Sequence, residues 1–476
     1  MQVLYVSTEV YPALKTGGLA DVNAALPAAL IGLGADIRLL LPGFPALLKT
    51  AGKLEHTATL EAVFGSEPVR ISAGTLDRVP AYFIEAPEFY ARPGNPYMDA
   101  DGHDWPDNAL RFALLGWVAA HIANGALDGW RPDIVHGHDW HAGLAPAYLA
   151  ARDGERPGSV FTIHNLSFHG EFPADTFGAL RLPSRFFEQE GVEFYGKVNF
   201  MKAGLHYADR ITTVSPTYAR EIQTPAQGCG MDGLLRARAG VLSGILNGVD
   251  PRAWNPAADV RIPARYDTAR MAGKAKCKSV LQADLGLNTD ARQPLFAVVS
   301  RLTTQKGLDL LLDVLPHLIA SGGQLALLGE GDAALEGGIG AVAAAHPRSV
   351  AVRFGYDENL AHRIIAGADA IVVPSRFEPC GLTQMYGLAY GTLPLVRRVG
   401  GLADTIVDAT LPAGNGFVFD DATPGALRTA LDRVFSLWQE PAKWAALRAQ
   451  AMRADFGWVP AARRYLRLYR ELRPQA

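Results

Sequence analysis

Val372–Val396 reads "VVPSRFEPCGLTQMYGLAYGTLPLV". An apolar run ends at Pro374, a tight loop carries Glu378, a helical pattern begins near Gly381–Leu382, and a second apolar run, "LPLV", follows. Strand, helix and strand at this spacing form a crossover unit, in which a helix bridges two parallel strands. Gly381, Leu382 and Thr383 offer N–H groups where the helix starts, and Glu378 stands one turn earlier. Anion donors beside a fixed carboxylate fit a sugar joined to a diphosphate; a glutamate that merely caps the helix is the plainer alternative.

The same rhythm extends in both directions. "LFAVVSRL", "QLALLGEG", "VAVRFGY", "AIVVPS" and "LPLVRR" are short apolar runs with helical segments after most of them. Their continuous apolar character suits strands covered on both faces. Towards the N-terminus, "QVLYVS", "DIRLLLP", "AYFIEA", "DIVHGH", "SVFTIH" and "RITTVS" alternate with helical stretches at 20–33, 107–124 and 140–152. The alternation breaks at "LNGVDPRAWNPAAD", Leu246–Asp259, where Pro, Asn, Gly and Asp cluster as in a linker. The pattern therefore predicts two doubly wound α/β domains with parallel sheets, joined near residue 247. A last stretch, "FGWVPAARRYLRLYREL", sets Trp458, Tyr465, Leu468 and Leu472 at helical spacing, with arginines forming a solvated face.

Size and composition agree. A chain of 476 residues exceeds one ordinary core. Its formal charge of -3 gives no general attraction to nucleic acid or to an anionic membrane, so any phosphate must be held by local cations. Cys229, Cys277 and Cys380 are few and scattered, which argues for a reducing compartment and against a disulfide framework or a structural zinc site. "MQVLYVSTEV" reads as a first strand rather than a signal peptide, and no apolar run approaches the roughly 20 residues of a membrane helix. A soluble, cytoplasmic protein is expected.

In open α/β sheets, ligands bind beyond the carboxyl ends of the strands, and the unusual residues fall there. "YPALKTGGLADV", Tyr11–Val22, follows the first strand: Gly17 and Gly18 let a ligand approach the backbone, a helix starts near residue 20, and Lys15 adds a cation. An ordinary strand-to-helix turn is the competing reading. In "SRLTTQKGLDLLLDVL", Arg301 and Lys306 flank a turn into a helix, as a diphosphate would require, or are simply surface cations. "DIVHGHDWHAG" gathers His136, His138, Asp139 and His141, and "FTIHNLSFHG" ends the next strand. No second ligand cluster accompanies these histidines, so Asp139 and His164 read as partners for polyol hydroxyls rather than as metal ligands, with His136 or His138 as satisfied core histidines. "LALLGEGDAALEG" matches G-x-G-x-x-A, yet it follows the second strand of its domain and lacks an acidic residue about 20 positions on. It reads as a packing turn or nucleotide contact, not a nicotinamide site.

Taken in order, "KTGGLADV", "RPGNPY", "HDWHAGLAPAYL", "TIHNL", "VSPTYARE", "LNGVD", "SRLTTQKGLDL" and "SRFEPCGLTQMYGLAYGTLPLVRRVGGLADT" resemble the bacterial glycogen synthases and the plant-type starch synthases. The resemblance runs from the first strand to the final helix. It implies a GT-B fold, two Rossmann-like domains facing an interdomain cleft: residues 1–246 with 457–476 crossing back, and residues 247–456. It implies transfer of glucose from ADP-glucose to the 4-OH of an α-1,4-glucan, with retention of anomeric configuration. Carried over by position, Lys15, Gly17 and Gly18 would contact donor phosphates. Arg301, Lys306 and Thr383 would hold the diphosphate, and Tyr356 would stack on adenine. Glu378 would grip the glucose beside Cys380, Gly381 and Leu382. Asp139, His164, Asn165 and Asn247 would line the sugar and acceptor side, with Asp21 in support and Tyr97 along the cleft.

Two departures stand out. "SFHGEF" replaces the Tyr-Gln pair of many relatives, which leaves His169 without an assigned role, and Tyr386 stands where related enzymes carry a second glutamate. The cations are expected to do the work of a metal, so neither metal nor cofactor is expected, and the two domains are expected to close during the cycle. A UDP-sugar transferase of the same fold and a non-catalytic glucan-binding protein are the rivals; the retained cations and Glu378 speak against the second.

Overall fold

The structure, a computed structural model, describes residues 1–473. Its contacts divide the chain into two units: Met1–Gly248 together with the segment from Trp458, and Val249–Gly457. Val249 N–H donates to the Phe456 carbonyl (2.7 Å), so the two crossings of the chain are paired.

The first unit carries β1 (Gln2–Val6), β2 (Asp36–Pro42), β3 (Glu55–Ala62), β4 (Pro68–Leu76), β5 (Val79–Glu85), β6 (Ile134–His138), β7 (Gly158–Ile163), β8 (Glu171–Pro173), β9 (Glu193–Phe194), β10 (Lys197–Asn199), β11 (Arg210–Thr213) and β12 (Leu242–Gly244). Nine strands form one sheet in the order β12-β11-β7-β6-β1-β2-β5-β4-β3. The sheet is parallel from β12 to β5, then antiparallel through β4 to β3. This corrects the expectation of a wholly parallel sheet. Strand β3 is mostly exposed and polar, so it lacks the apolar run by which a doubly covered strand is recognised. Strands β8, β10 and β9 make a separate small antiparallel sheet.

The second unit carries β13 (Leu295–Val299), β14 (Gln324–Leu328), β15 (Val350–Arg353), β16 (Ala370–Val373), β17 (Leu393–Arg397) and β18 (Phe417–Phe419). All six are parallel, in the order β15-β14-β13-β16-β17-β18. Counted within the unit that order is 3-2-1-4-5-6, the doubly wound Rossmann arrangement.

The C-terminal helix, Trp458–Leu472, belongs to the first unit, against the helix Gly18–Gly32. Its buried face is Trp458, Ala461, Ala462, Tyr465, Leu466, Leu468 and Tyr469, and the Tyr469 hydroxyl meets His136 Nδ1 at 2.7 Å. Arg463, Arg464, Arg467 and Arg470 point to solvent, as the helical spacing requires.

Candidate active site

Each sheet has one point where successive strands leave in opposite directions, and the loops on either side diverge to leave a crevice. In the second unit that point lies between β13 and β16. The loop after β13 carries Arg301 and Lys306, and the loop after β16 carries Glu378. Lys306 Nζ donates to Glu378 Oε2 at 2.6 Å, with both side chains largely buried. The Ser375 hydroxyl donates to the same oxygen (3.0 Å).

Three further contacts fix this geometry. Gly307 takes φ +67, where a Cβ would collide with the Pro374 carbonyl oxygen. Arg376 forms a two-pronged pair with Asp309 (2.6 Å each) and caps the Thr304 carbonyl, tying the two loops together. Gly400, at φ +42, lets its loop press on the Glu378 carbonyl. Arg301 is exposed and joins neither Lys306 nor Glu378. Beyond Glu378, the N–H groups of Gly381, Leu382 and Thr383 have no acceptor among the described residues, while Cys380 is buried. Tyr356, in the loop after β15, is 62% exposed. The glycines of the dinucleotide-like turn are explained by packing: a Cβ at Gly329 or Gly331 would strike the Ser300 or Leu302 carbonyl.

In the first unit the divergence lies between β1 and β6. Gly17 has φ -162, extended backbone open to any residue, and a Cβ there would meet nothing within 4 Å. Gly17 therefore serves no left-handed turn and leaves open space above N–H groups that have no acceptor among the described residues. Lys15 pairs with Asp21 (3.1 Å). Sequence reasoning missed Glu9, which organises this loop. Its carboxylate, 2% exposed, accepts the Thr16 N–H (2.6 Å), the Thr16 hydroxyl (2.8 Å) and the Tyr97 hydroxyl (2.8 Å). Burial and Glu9 together push the Tyr97 phenol well up. The available signal was a carboxylate two residues past the first buried strand's "VS".

Asp139 follows β6 at φ +56, ahead of a short turn, Trp140–Ala142, so the helix expected from residue 140 starts at Leu144. The Asp139 carboxylate accepts the His164 N–H at 2.7 Å and the Asn165 N–H at 3.4 Å. Burial pushes its carboxyl up to about 7 despite those two donors. His138 Nδ1 faces His164 Nε2 at 3.0 Å, and burial holds both imidazoles neutral, His164 down to about 3. His136 has both ring nitrogens occupied, by Tyr469 and by Thr162 Oγ1 (2.6 Å), and is a satisfied core histidine. Among the described residues no three His, Cys, Asp or Glu side chains are grouped to hold a metal ion. Asn165 Oδ1 caps Ser167, whereas Asn247 Oδ1 is buried without a partner, an acceptor open to a hydroxyl.

Comparison with known proteins gives consistent matches. Residues 2–237 match the family model described as starch synthase catalytic domain, and residues 285–449 that of glycosyl transferases group 1. The chain is 54% identical over 485 residues to the glycogen synthase of Leptothrix cholodnii, covering 99% of this chain and 100% of that one. It is 55% identical over 479 residues to the glycogen synthase of Serratia proteamaculans, with coverage of 99% and 100%. The solved catalytic domain of starch synthase IV from Arabidopsis thaliana, bound to ADP and acarbose, aligns with a TM-score of 0.90 at 30% identity over 99% of both chains. Sucrose-phosphate synthase of Thermosynechococcus elongatus, at TM-score 0.61 and 18% identity over 99% and 98%, shares the fold.

Proposed function

This chain belongs to the glycogen synthase family, glycosyltransferases of GT-B fold that elongate glycogen by glucosyl transfer, and we propose on that premise that its donor is ADP-glucose and its acceptor the non-reducing 4-OH of an α-1,4-glucan. The observation that carries the residue assignment is the Lys306–Glu378 pair, at the divergence of β13 and β16 and next to unpaired N–H groups. In this reading Lys306, Arg301 and the N–H groups of Gly381–Thr383 receive the diphosphate. The exposed ring of Tyr356 stacks on adenine, and Glu378, beside Cys380, accepts glucose hydroxyls. In the first unit Lys15, steadied by Asp21, and the open backbone at Gly17 and Gly18 suit an anion. Asp139, His164, Asn165, Asn247 and Tyr97 supply polar groups for the sugar and acceptor.

As the bond from glucose C1 to the diphosphate oxygen breaks, negative charge grows on the departing oxygen, and cations already positioned there lower the barrier. Glu378 is engaged by Lys306 and Ser375, which suits a binding role rather than that of a covalent nucleophile. We therefore assign retention to same-face attack: the acceptor 4-OH bonds to C1 and its proton passes to the leaving phosphate oxygen. Cations in this role make a metal ion unnecessary, so turnover persists in excess EDTA; loss of activity restored by Mg²⁺ would refute that. We also assign the reaction to the cytoplasm, supported by cysteines that are few and form no disulfide among the described residues. No helix among the described residues is long and apolar enough to cross a membrane.

The deciding assay is incorporation of labelled glucose into glycogen from ADP-glucose, run beside UDP-glucose. Preferred use of UDP-glucose would overturn the donor assignment.

A further inference from the structure

The segment between β7 and β11 carries aromatic side chains that the reading above leaves without a task. Phe168 is 50% exposed and Tyr195 is 80% exposed. Tyr195 and Gly196 are the two turn residues of the hairpin joining β9 to β10, with φ +48 and +77. A two-residue turn with both residues left-handed is the kind that favours Asn-Gly, and a tyrosine at the first position is strained. The Gly196 N–H donating to Glu193 Oε1 (2.6 Å) holds the turn. Folding gains little from this tyrosine: its ring meets Phe194 edge-on at 4.6 Å, passes beside Gly230, and is otherwise exposed. Strain kept at an exposed aromatic points to a ligand.

Ring contacts run from Tyr195 through Phe194 to His169. Phe194 meets His169 edge-on at 5.6 Å, and His169 follows Phe168, three residues beyond Asn165. Gly170 has no Cβ because the Trp140 ring occupies that space, which seats the loop on the residue next to Asp139. Polar groups run alongside. His169 Nδ1 and Lys197 Nζ each pair with Glu171 at 3.1 Å, and His169 Nε2 is buried without a partner. Aromatic rings bordered by a carboxylate and an ammonium match a pyranose chain, which offers apolar C–H faces and a rim of hydroxyls.

We propose that Phe168, Phe194 and Tyr195, with Glu171 and Lys197, form a platform that binds the α-1,4-glucan several residues back from its reacting end. The platform starts in the same strand-end loop as His164 and Asn165, so a chain held at those residues continues onto it. The inference rests on the reading of this protein as a glucan-elongating enzyme. It makes Tyr195 a determinant of acceptor length.

Tyr195→Asn is the informative variant, because asparagine suits the left-handed turn position and spares the fold. Its thermal midpoint is expected to equal or exceed that of the wild type. Loss of ring stacking should raise the glycogen KM and the maltoheptaose Kd about threefold to tenfold, and the maltotriose KM less than twofold. Phe168→Ala should act in the same direction. Rates with maltotriose, maltoheptaose and glycogen, together with calorimetric binding of maltoheptaose, read these effects. Equal maltoheptaose affinity and equal length dependence in wild type and Tyr195→Asn would overturn the platform. A wild-type enzyme that transfers nothing from ADP-glucose would overturn the donor reading instead, and the calorimetric comparison would still decide whether Tyr195 binds glucan.

Discussion

Four buried imidazoles of the first unit imply acid lability whose size can be worked through. Burial pushes His136, His138, His141 and His164 downward, and takes His141 and His164 to about 3. Below about pH 6.5 the unfolded chain takes up protons that the folded chain refuses, so stability falls as pH drops. From about pH 7.5 to about pH 5.5 each such group withdraws on the order of 1 kcal/mol, and the four together several kcal/mol. Asp139 works in the opposite sense. Its carboxyl, raised to about 7, binds a proton in the folded chain before the unfolded one does, returning about 2 kcal/mol over the same interval. A net loss on the order of a few kcal/mol remains, against the roughly 5–15 kcal/mol that separates folded from unfolded proteins. His141→Phe isolates one term. His141 stacks on Tyr97 at 4.5 Å, meets Phe112 edge-on at 5.2 Å, and has no partner at Nδ1. Phenylalanine keeps those ring contacts and removes the titration. Whatever the exchange costs at neutral pH, the acid-induced loss should shrink by about 1 kcal/mol. Urea unfolding of both proteins at the two pH values reads the difference, and an unchanged increment would mean that His141 is protonated in the folded state.

Glu378→Gln removes the carboxylate that Lys306 and Ser375 contact, and is expected to lower kcat by about a hundredfold or more; initial rates of glucose incorporation near the wild-type value would remove Glu378 from the catalytic set. Gly17→Ala should leave stability within about 0.5 kcal/mol, since nothing lies near the added methyl. Its ADP-glucose KM should nonetheless rise, and an unchanged KM would return the glycine pair to a structural role. Gly307→Ala should do the reverse, costing about 2 kcal/mol or more in urea unfolding because of its positive φ and the collision with Pro374.

Strands buried on both faces were legible, because β1, β13 and β16 spell almost unbroken apolar runs. The β3–β4 hairpin was not: β3 is exposed at six of its eight positions and none is buried, and only its pairing with β4 makes it a strand. Strand β18 and the small β8–β10 sheet are too short to show a period. Within the site, strand-end residues such as Lys306, Glu378 and Asp139 could be singled out by position. Their partners could not, since Arg376–Asp309 and Glu9–Thr16 depend on how each loop folds back. Arg301 and Lys306 looked alike in sequence. The left-handed Gly307 turns Lys306 towards Glu378 and leaves Arg301 in solvent.

Strand order explains why chemistry so far apart in the chain converges. Hydrophobic runs reveal that strands exist but not which are neighbours, and ligand position in an open sheet follows from neighbours. Because β13 lies beside β16, residues 72 apart in sequence, Lys306 and Glu378, form an ion pair at the carboxyl edge of the sheet. Because β1 lies beside β6, Glu9 and Asp139 come near enough that the charge of the first helps hold the second protonated. Moving either strand to the sheet's margin would separate these pairs without altering a single motif. The motifs work as a site only through the order in which their strands lie.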